Sequence, residues 1–229
     1  MNFHADWFPA SLLWAAAVLW LALLAATAKP ALCAVRSSPQ SAVLAAAAAG
    51  FAWLLRIDIQ AGHMAGMDYH FLGLNLVCLM VGAPAAFWIG SAWALLYALL
   101  QPEHAMLAAL PLNVLAVVLP ACVLSVGVRR WGERALPKHL FIYIFIFGFV
   151  AAVLGMLLAG TLVTLSLLWA GVFPAAVLRE SVYPVFFLIS WGEGFLNGIF
   201  TAVFVSLLPQ VLKTFDDARY LGGGPQIWK

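Results

Sequence analysis

The chain has 229 residues, of which 66% are hydrophobic and 9% charged, with a formal net charge of +2. Soluble domains are about half apolar and a quarter charged, so a soluble fold is excluded, and so small a net charge gives no reason to expect nucleic acid as a partner. The apolar residues come in long blocks separated by short polar breaks, which predicts a single all-α integral membrane domain over 1–229.

Residues 1–8 precede the first block as an N-terminal segment containing His4, Asp6 and Trp7. It has no Lys or Arg, so the basic region of a secretory signal is missing and the first block is expected to stay in the membrane. Asn2 is large for methionine removal, so Met1 is expected to keep a free amine.

The apolar blocks run at about 9–28, 41–55, 71–100, 105–126, 140–169 and 185–212. One span needs about 20 apolar residues. Block 71–100 is too long for one ordinary span, and block 140–169 reads as one long tilted helix.

Basic residues mark the cytoplasmic side. Lys29 and Arg36 follow the first block, Arg129, Arg130, Arg134 and Lys138 the fourth, and Lys213 and Arg219 the last. All three groups face inward only if block 71–100 crosses twice, with a turn near Gly82, Ala83 and Pro84. The expected fold is a bundle of about seven transmembrane helices in the inner (cytoplasmic) membrane. Residues 1–8 are outside and a tail, 213–229, lies in the cytoplasm.

That orientation puts His4, His63, His70 and His104 outside and only His139 inside. Imidazole is the commonest protein ligand for transition metals. Segment 63–70 carries His63, Met64, Met67, Asp68 and His70, with Gly62 and Gly66 allowing tight turns. The candidate metal ligands are Met1 through its amine, His4, His70 and His63.

Few polar residues fall inside the blocks. Asn75, five positions after His70, is read as orienting that ring from behind. Glu193 is a costly intramembrane carboxylate, read as structural or gating rather than as a ligand. Gly194 and Gly198 form a small-xxx-small pair, read as internal packing. Cys33, Cys78 and Cys122 are scattered, and the two interior ones read as small buried hydrophobes. There is no phosphate-binding loop, no HExxH and no plausible Ser/His/Asp spacing, so the chain is not expected to be an enzyme or to hydrolyse ATP.

Four stretches carry a family likeness: the N-terminus running to Pro9, His70-Phe-Leu-Gly73 leading to Gly82, Asn113-Val114, and Glu193-Gly194. In this order and spacing the chain resembles the metal-capturing membrane subunits of cobalt and nickel energy-coupling factor transporters. The resemblance implies a helical bundle that binds a divalent ion and hands it inward. A coupling membrane subunit and cytoplasmic ATPase subunits would drive the release. It implies ligation by the amine of Met1 and by His70. The family's second-position imidazole is replaced by Asn2, with His4 nearby. The site is therefore expected either to be rebuilt around His4 or to take another metal, Zn or Cu in place of Co or Ni. The alternative is an accessory or assembly subunit of a larger membrane complex, with incidental histidines.

Overall fold

The structure is a computed structural model that describes residues 3–59, 61–100 and 105–221. It is almost entirely helical. The helices are α1 Ala10–Ser37, α2 Pro39–Leu54, α3 Leu74–Val81, α4 Ala83–Leu100, α5 Met106–Ala135, α6 Leu140–Ala170 and α7 Ala175–Leu207. A short α8, Asp217–Tyr220, closes the described chain. Five of these, α1 and α4 to α7, are long and apolar enough to cross a membrane.

At 1.5 Å rise per residue, α1 reaches about 42 Å, more than the roughly 30 Å hydrocarbon core. Of its side chains only Ala16, Ala31 and Ala34 are buried. The large residues Trp14, Val18, Leu19 and Leu21 point outward, which suits a helix whose solvent is lipid.

The helix break at Gly82 falls where the sequence predicts one, with φ +86 at that glycine. The first half of block 71–100 is much shorter than expected. Helix α3 has 8 residues, about 12 Å, because its first turn cannot extend backward. Gly73 adopts φ +65, and the Leu72 and Gly73 amides are taken by a side chain of α7. All eight α3 residues are buried, which makes this half-span the central column of the bundle. The other blocks shift at their edges: α5 continues through the basic cluster to Ala135, and α7 begins well before residue 185.

Each of the three longest helices contains a π-helical segment: Val114–Val118 in α5, Tyr143–Val150 in α6 and Leu178–Val182 in α7. Wider turns of this kind disturb the regular ladder and concentrate at functional places in helices. In α6 they release two carbonyls for an outside donor: Asn75 Nδ2 of α3 donates to Phe147 O at 2.9 Å and Gly148 O at 3.0 Å.

Helices α6 and α7 lie closely together through glycines. A Cβ on Gly194 would stand 2.4 Å from Val153 Cγ2, and one on Gly198 would stand 3.3 Å from Phe149 Cβ. The small-xxx-small pair is thus used inside the chain, as the sequence suggests.

The tail clasps the far end of α3. Lys213 N donates to Met80 O and Thr214 N to Leu79 O, supplying partners for carbonyls that a helix end leaves unpaired. The Thr214 hydroxyl also donates to Leu79 O and meets the Tyr143 hydroxyl at 2.8 Å. Phe215 and Tyr220 stack on one another and close edgewise on Tyr143. Arg219 reaches Glu133 of α5 at 3.7 Å. One end of α3 therefore meets the tail and the basic end of α5, and the other end carries His70.

Candidate metal site

Two short strands, β1 Arg56–Asp58 and β2 Asp68–His70, form an antiparallel hairpin at that other end, with Arg56 opposite His70. Strands three residues long are too short to leave an alternating pattern in the sequence. Gly62 and Gly66 between them both take positive φ, as their placement suggested.

His70 lies at the end of β2 with 2% of its surface exposed. Its ring rests on Trp53 of α2, with centroids 4.5 Å apart, and near Tyr97 of α4 at 6.3 Å. His70 Nδ1 is 2.9 Å from Phe71 O. A carbonyl can only accept, so the proton is on Nδ1 and the lone pair on Nε2. Burial is the main cause that lowers the imidazole from 6.5 to about 4, against opposition from Asp68 and from the Phe71 hydrogen bond. The ring is thus neutral near pH 7, with one nitrogen fixed by its own backbone and the other carrying a lone pair. That is the form in which histidine ligates a metal.

Three side chains hold the turn after His70. Trp53 Nε1 donates to Leu72 O at 3.2 Å. The Glu193 carboxylate of α7 accepts from Leu72 N at 2.8 Å and Gly73 N at 2.7 Å. Asn197, one turn further along α7, donates to Glu193 Oε1 at 3.0 Å and accepts from Leu76 N at 2.8 Å. Glu193 and Asn197 together cap the first turn of α3, satisfying donors that would otherwise be buried without partners. In each of these three bonds a carboxylate oxygen of Glu193 is the acceptor.

The N-terminal segment enters the same end. Phe3 is 1% exposed and edge-packed on Phe8. Its backbone is held at both groups by one side chain: Phe3 N donates to Asn113 Oδ1 at 2.6 Å and Asn113 Nδ2 donates to Phe3 O at 3.3 Å. Asn113 stands immediately before the π-helical segment of α5. His4 is half-buried against Trp7, with ring centroids 4.7 Å apart. Trp7 in turn approaches the hairpin loop, 3.8 Å from where a Cβ on Gly66 would stand. His4 and the loop that leads to His70 are therefore joined through Trp7.

The remaining candidates separate. His63 is exposed on the hairpin loop and its Nε2 lies 3.3 Å from Ser181 Oγ of α7. Asn75 serves the α6 carbonyls, and no hydrogen bond from it to the His70 ring exists among the described residues. Met67 is buried in the core and Met64 is half-buried. Asp68 accepts from the Tyr97 hydroxyl at 3.0 Å. Met1 and His104 lie outside the described residues. Among the described residues no three of His, Cys, Asp and Glu form a closed cage, so a complete coordination sphere needs donors beyond these.

Sequence reasoning missed the capping role of Asn197 and the anchoring of the N-terminal segment by Asn113. Both are polar residues inside apolar blocks, 105–126 and 185–212, which is the signal the sequence offers. Their partners lie more than 100 positions away.

Long apolar helices around a short buried half-helix, with a neutral imidazole at one end, define a multi-pass membrane protein. The chain belongs to the CbiM family, the cobalt uptake substrate-specific transmembrane region, whose model matches residues 3–211. It is a membrane component of metal uptake, with a transition metal ion as cargo. Two solved structures share the fold. The crystal structure of a truncated transition metal transporter is 16% identical with a TM-score of 0.69, covering 92% of this chain and 99% of that one. The crystal structure of a transition metal transporter is 17% identical with a TM-score of 0.69, covering 92% and 93%. No curated protein matches the chain in sequence.

Proposed function

We propose that the chain is the ion-capturing subunit of an energy-coupling factor type importer, and that His70 is its central ligand. The observation that carries this reading is the His70 ring itself: buried, neutral, its Nδ1 committed to Phe71 O, its Nε2 left with the lone pair. The amine of Met1 and the imidazole of His4 complete the protein's share of the site, and the Asn113 anchor holds their segment at this end of the bundle. Glu193 positions His70 through the turn at residues 72–73 and does not bind the ion.

The bundle crosses the inner membrane about seven times, with the His70 end outside and the tail end in the cytoplasm. The gathering of Arg129 and Arg219 at the tail end supports that orientation. The cargo is a divalent ion, Co or Ni, with Zn or Cu as alternatives because Asn2 replaces an imidazole. A coupling membrane subunit and cytoplasmic ATPase subunits drive release inward.

The test is uptake of radioactive metal by cells that express the chain together with its candidate ATPase partners. Uptake that requires both, and that vanishes with His70→Ala, supports the reading. Uptake unchanged by His70→Ala overturns it.

A further inference from the structure

A groove between α1, α4 and α5 carries a charge at one end only. The three helices pack on one another, and the space between them is about 390 Å³. That falls within the roughly 300–1,000 Å³ of ligand pockets, so the groove is larger than a packing defect. Leu23 and Thr27 line it from α1, Pro84 and Phe87 from α4, and Leu119 and Val126 from α5. Among the described residues of the lining, only Arg130 is charged. The Thr27 hydroxyl is already committed: it donates to Leu23 O at 2.7 Å and accepts from Trp88 Nε1 at 3.1 Å.

Arg130 lies at the tail end of the bundle. Helix α4 starts there, just after the α3 carbonyls that the tail caps, and Arg219 of the tail reaches Glu133 of α5 there. From Leu119 to Arg130 the regular helix rises about 16 Å. One leaflet of the hydrocarbon core is about 15 Å deep, half of the whole. The groove therefore has the length of one leaflet, with its charge where headgroups lie.

The charge at that end is also unbalanced. Arg130 and Arg134 stand one turn apart on one face of α5, both exposed, and neither has an acidic partner among the described residues. Like charges at this spacing repel. Glu133 beside them is engaged by Arg129 and Arg219. Lys29 of α1, two residues past Thr27, adds positive charge at the same end. The occupant must be apolar along its length and anionic at its tip. A partner helix is about 10–12 Å across, too wide to enter between three helices already in contact, whereas an acyl chain is narrow enough.

We propose that this groove holds one acyl chain of an anionic phospholipid, whose phosphate accepts from the Arg130 guanidinium. Helix α1 buries only Ala16, Ala31 and Ala34 against the bundle. The bound lipid supplies the packing that α1 lacks on its α5 side, and its phosphate relieves the repulsion between Arg130 and Arg134. The groove is at the opposite end of the bundle from His70, so this site stands apart from metal capture.

The experiment is native mass spectrometry of the full chain released from nanodiscs of equal parts phosphatidylglycerol and phosphatidylethanolamine. The wild type is expected to keep a single lipid and to favour phosphatidylglycerol by about five-fold, the worth of one arginine near a membrane surface. Arg130→Gln is expected to keep a lipid but lose the preference. A Cβ on Gly127, which also lines the groove, would meet nothing within 4 Å. Gly127→Leu therefore fills the groove without disturbing the protein, and is expected to lose the lipid. Inorganic phosphate added to the wild type is expected to displace nothing. A wild type with no headgroup preference overturns the proposal, as does a preference unchanged in Arg130→Gln, full lipid retention in Gly127→Leu, or displacement by free phosphate. If Gly127→Leu does not fold, the comparison of wild type with Arg130→Gln, a change at an exposed residue, still decides the matter.

Discussion

The Glu193 carboxylate holds Gly73 N at 2.7 Å, and through that bond a residue of the last long helix fixes the turn that presents His70. The same carboxylate holds Leu72 N, so the segment between β2 and α3 has little freedom. Removing one partner of a buried hydrogen bond leaves the other unpaired, at a cost of about 1–3 kcal/mol, and this carboxyl serves two backbone donors. Glu193→Ala is therefore predicted to destabilise the protein by about 3 kcal/mol or more, and to weaken metal binding although no ligand has been removed. Glu193→Gln keeps one acceptor oxygen and is predicted to fall between. Thermal unfolding in detergent and metal titration on the same samples check this. Equal stability in all three proteins would contradict the capping role.

Gly73 itself is predicted to be irreplaceable at low cost. Its φ of +65 disfavours any side chain, and an added Cβ would meet the Ala52 Cβ at 3.0 Å. Strain of this kind costs on the order of 1–3 kcal/mol. Gly73→Ala should lower the unfolding midpoint and loosen the His70 turn together, read as faster hydrogen exchange at Leu72 and Phe71.

Stability should depend on pH through His70. Its folded value is about 4 and its ordinary value 6.5, so the unfolded chain binds the proton first. The stabilisation from the neutral buried ring is fully present above about pH 6.5 and is lost as the pH falls toward 4, amounting to on the order of 3 kcal/mol. Metal-free wild type is predicted to lose stability across that window more steeply than His70→Gln, which carries no titrating group there. Parallel unfolding curves for the two proteins would contradict it.

Much of the architecture could be read from the sequence, for physical reasons that differ by residue. The break at Gly82 was legible because Gly and Pro punctuate a chain locally. The internal use of Gly194 and Gly198 was legible because close approach of helices in lipid needs small residues. The length of α3 was not legible, since it is set by Glu193, a capping partner about 120 positions away. The π-helical segments left no periodic signature, and the three-residue strands are too short to show alternation. At the site, His70 was legible as an imidazole at a span end. The expected link from Asn75 to its ring was not found, because two α6 carbonyls freed by a π turn claim that amide.

Asn113 should matter for the ion more than for the fold. Its amide makes two hydrogen bonds to the Phe3 backbone, the link that brings His4 to this end. Neutral hydrogen bonds contribute about 0.5–1.5 kcal/mol each. Asn113→Leu is predicted to cost about 1–3 kcal/mol of stability, and to lower metal affinity while leaving stoichiometry measurable. Unchanged affinity would separate the N-terminal segment from the site.

The tail contributes a cap of the opposite kind. Thr214→Val keeps the shape but removes the hydroxyl that donates to Leu79 O and meets Tyr143. A loss of about 1–2 kcal/mol is predicted, with metal affinity at the His70 end unchanged, which unfolding and titration on one preparation can resolve.

The central claim is that His70 is the ion's main protein ligand. Its most direct test is equilibrium binding of Co(II), Ni(II), Zn(II) and Cu(II) to the metal-free full chain, purified without a histidine tag, compared between wild type and His70→Ala. The account predicts one tightly held ion per chain in the wild type and none in the variant. Retention of that ion by a folded His70→Ala protein would contradict it.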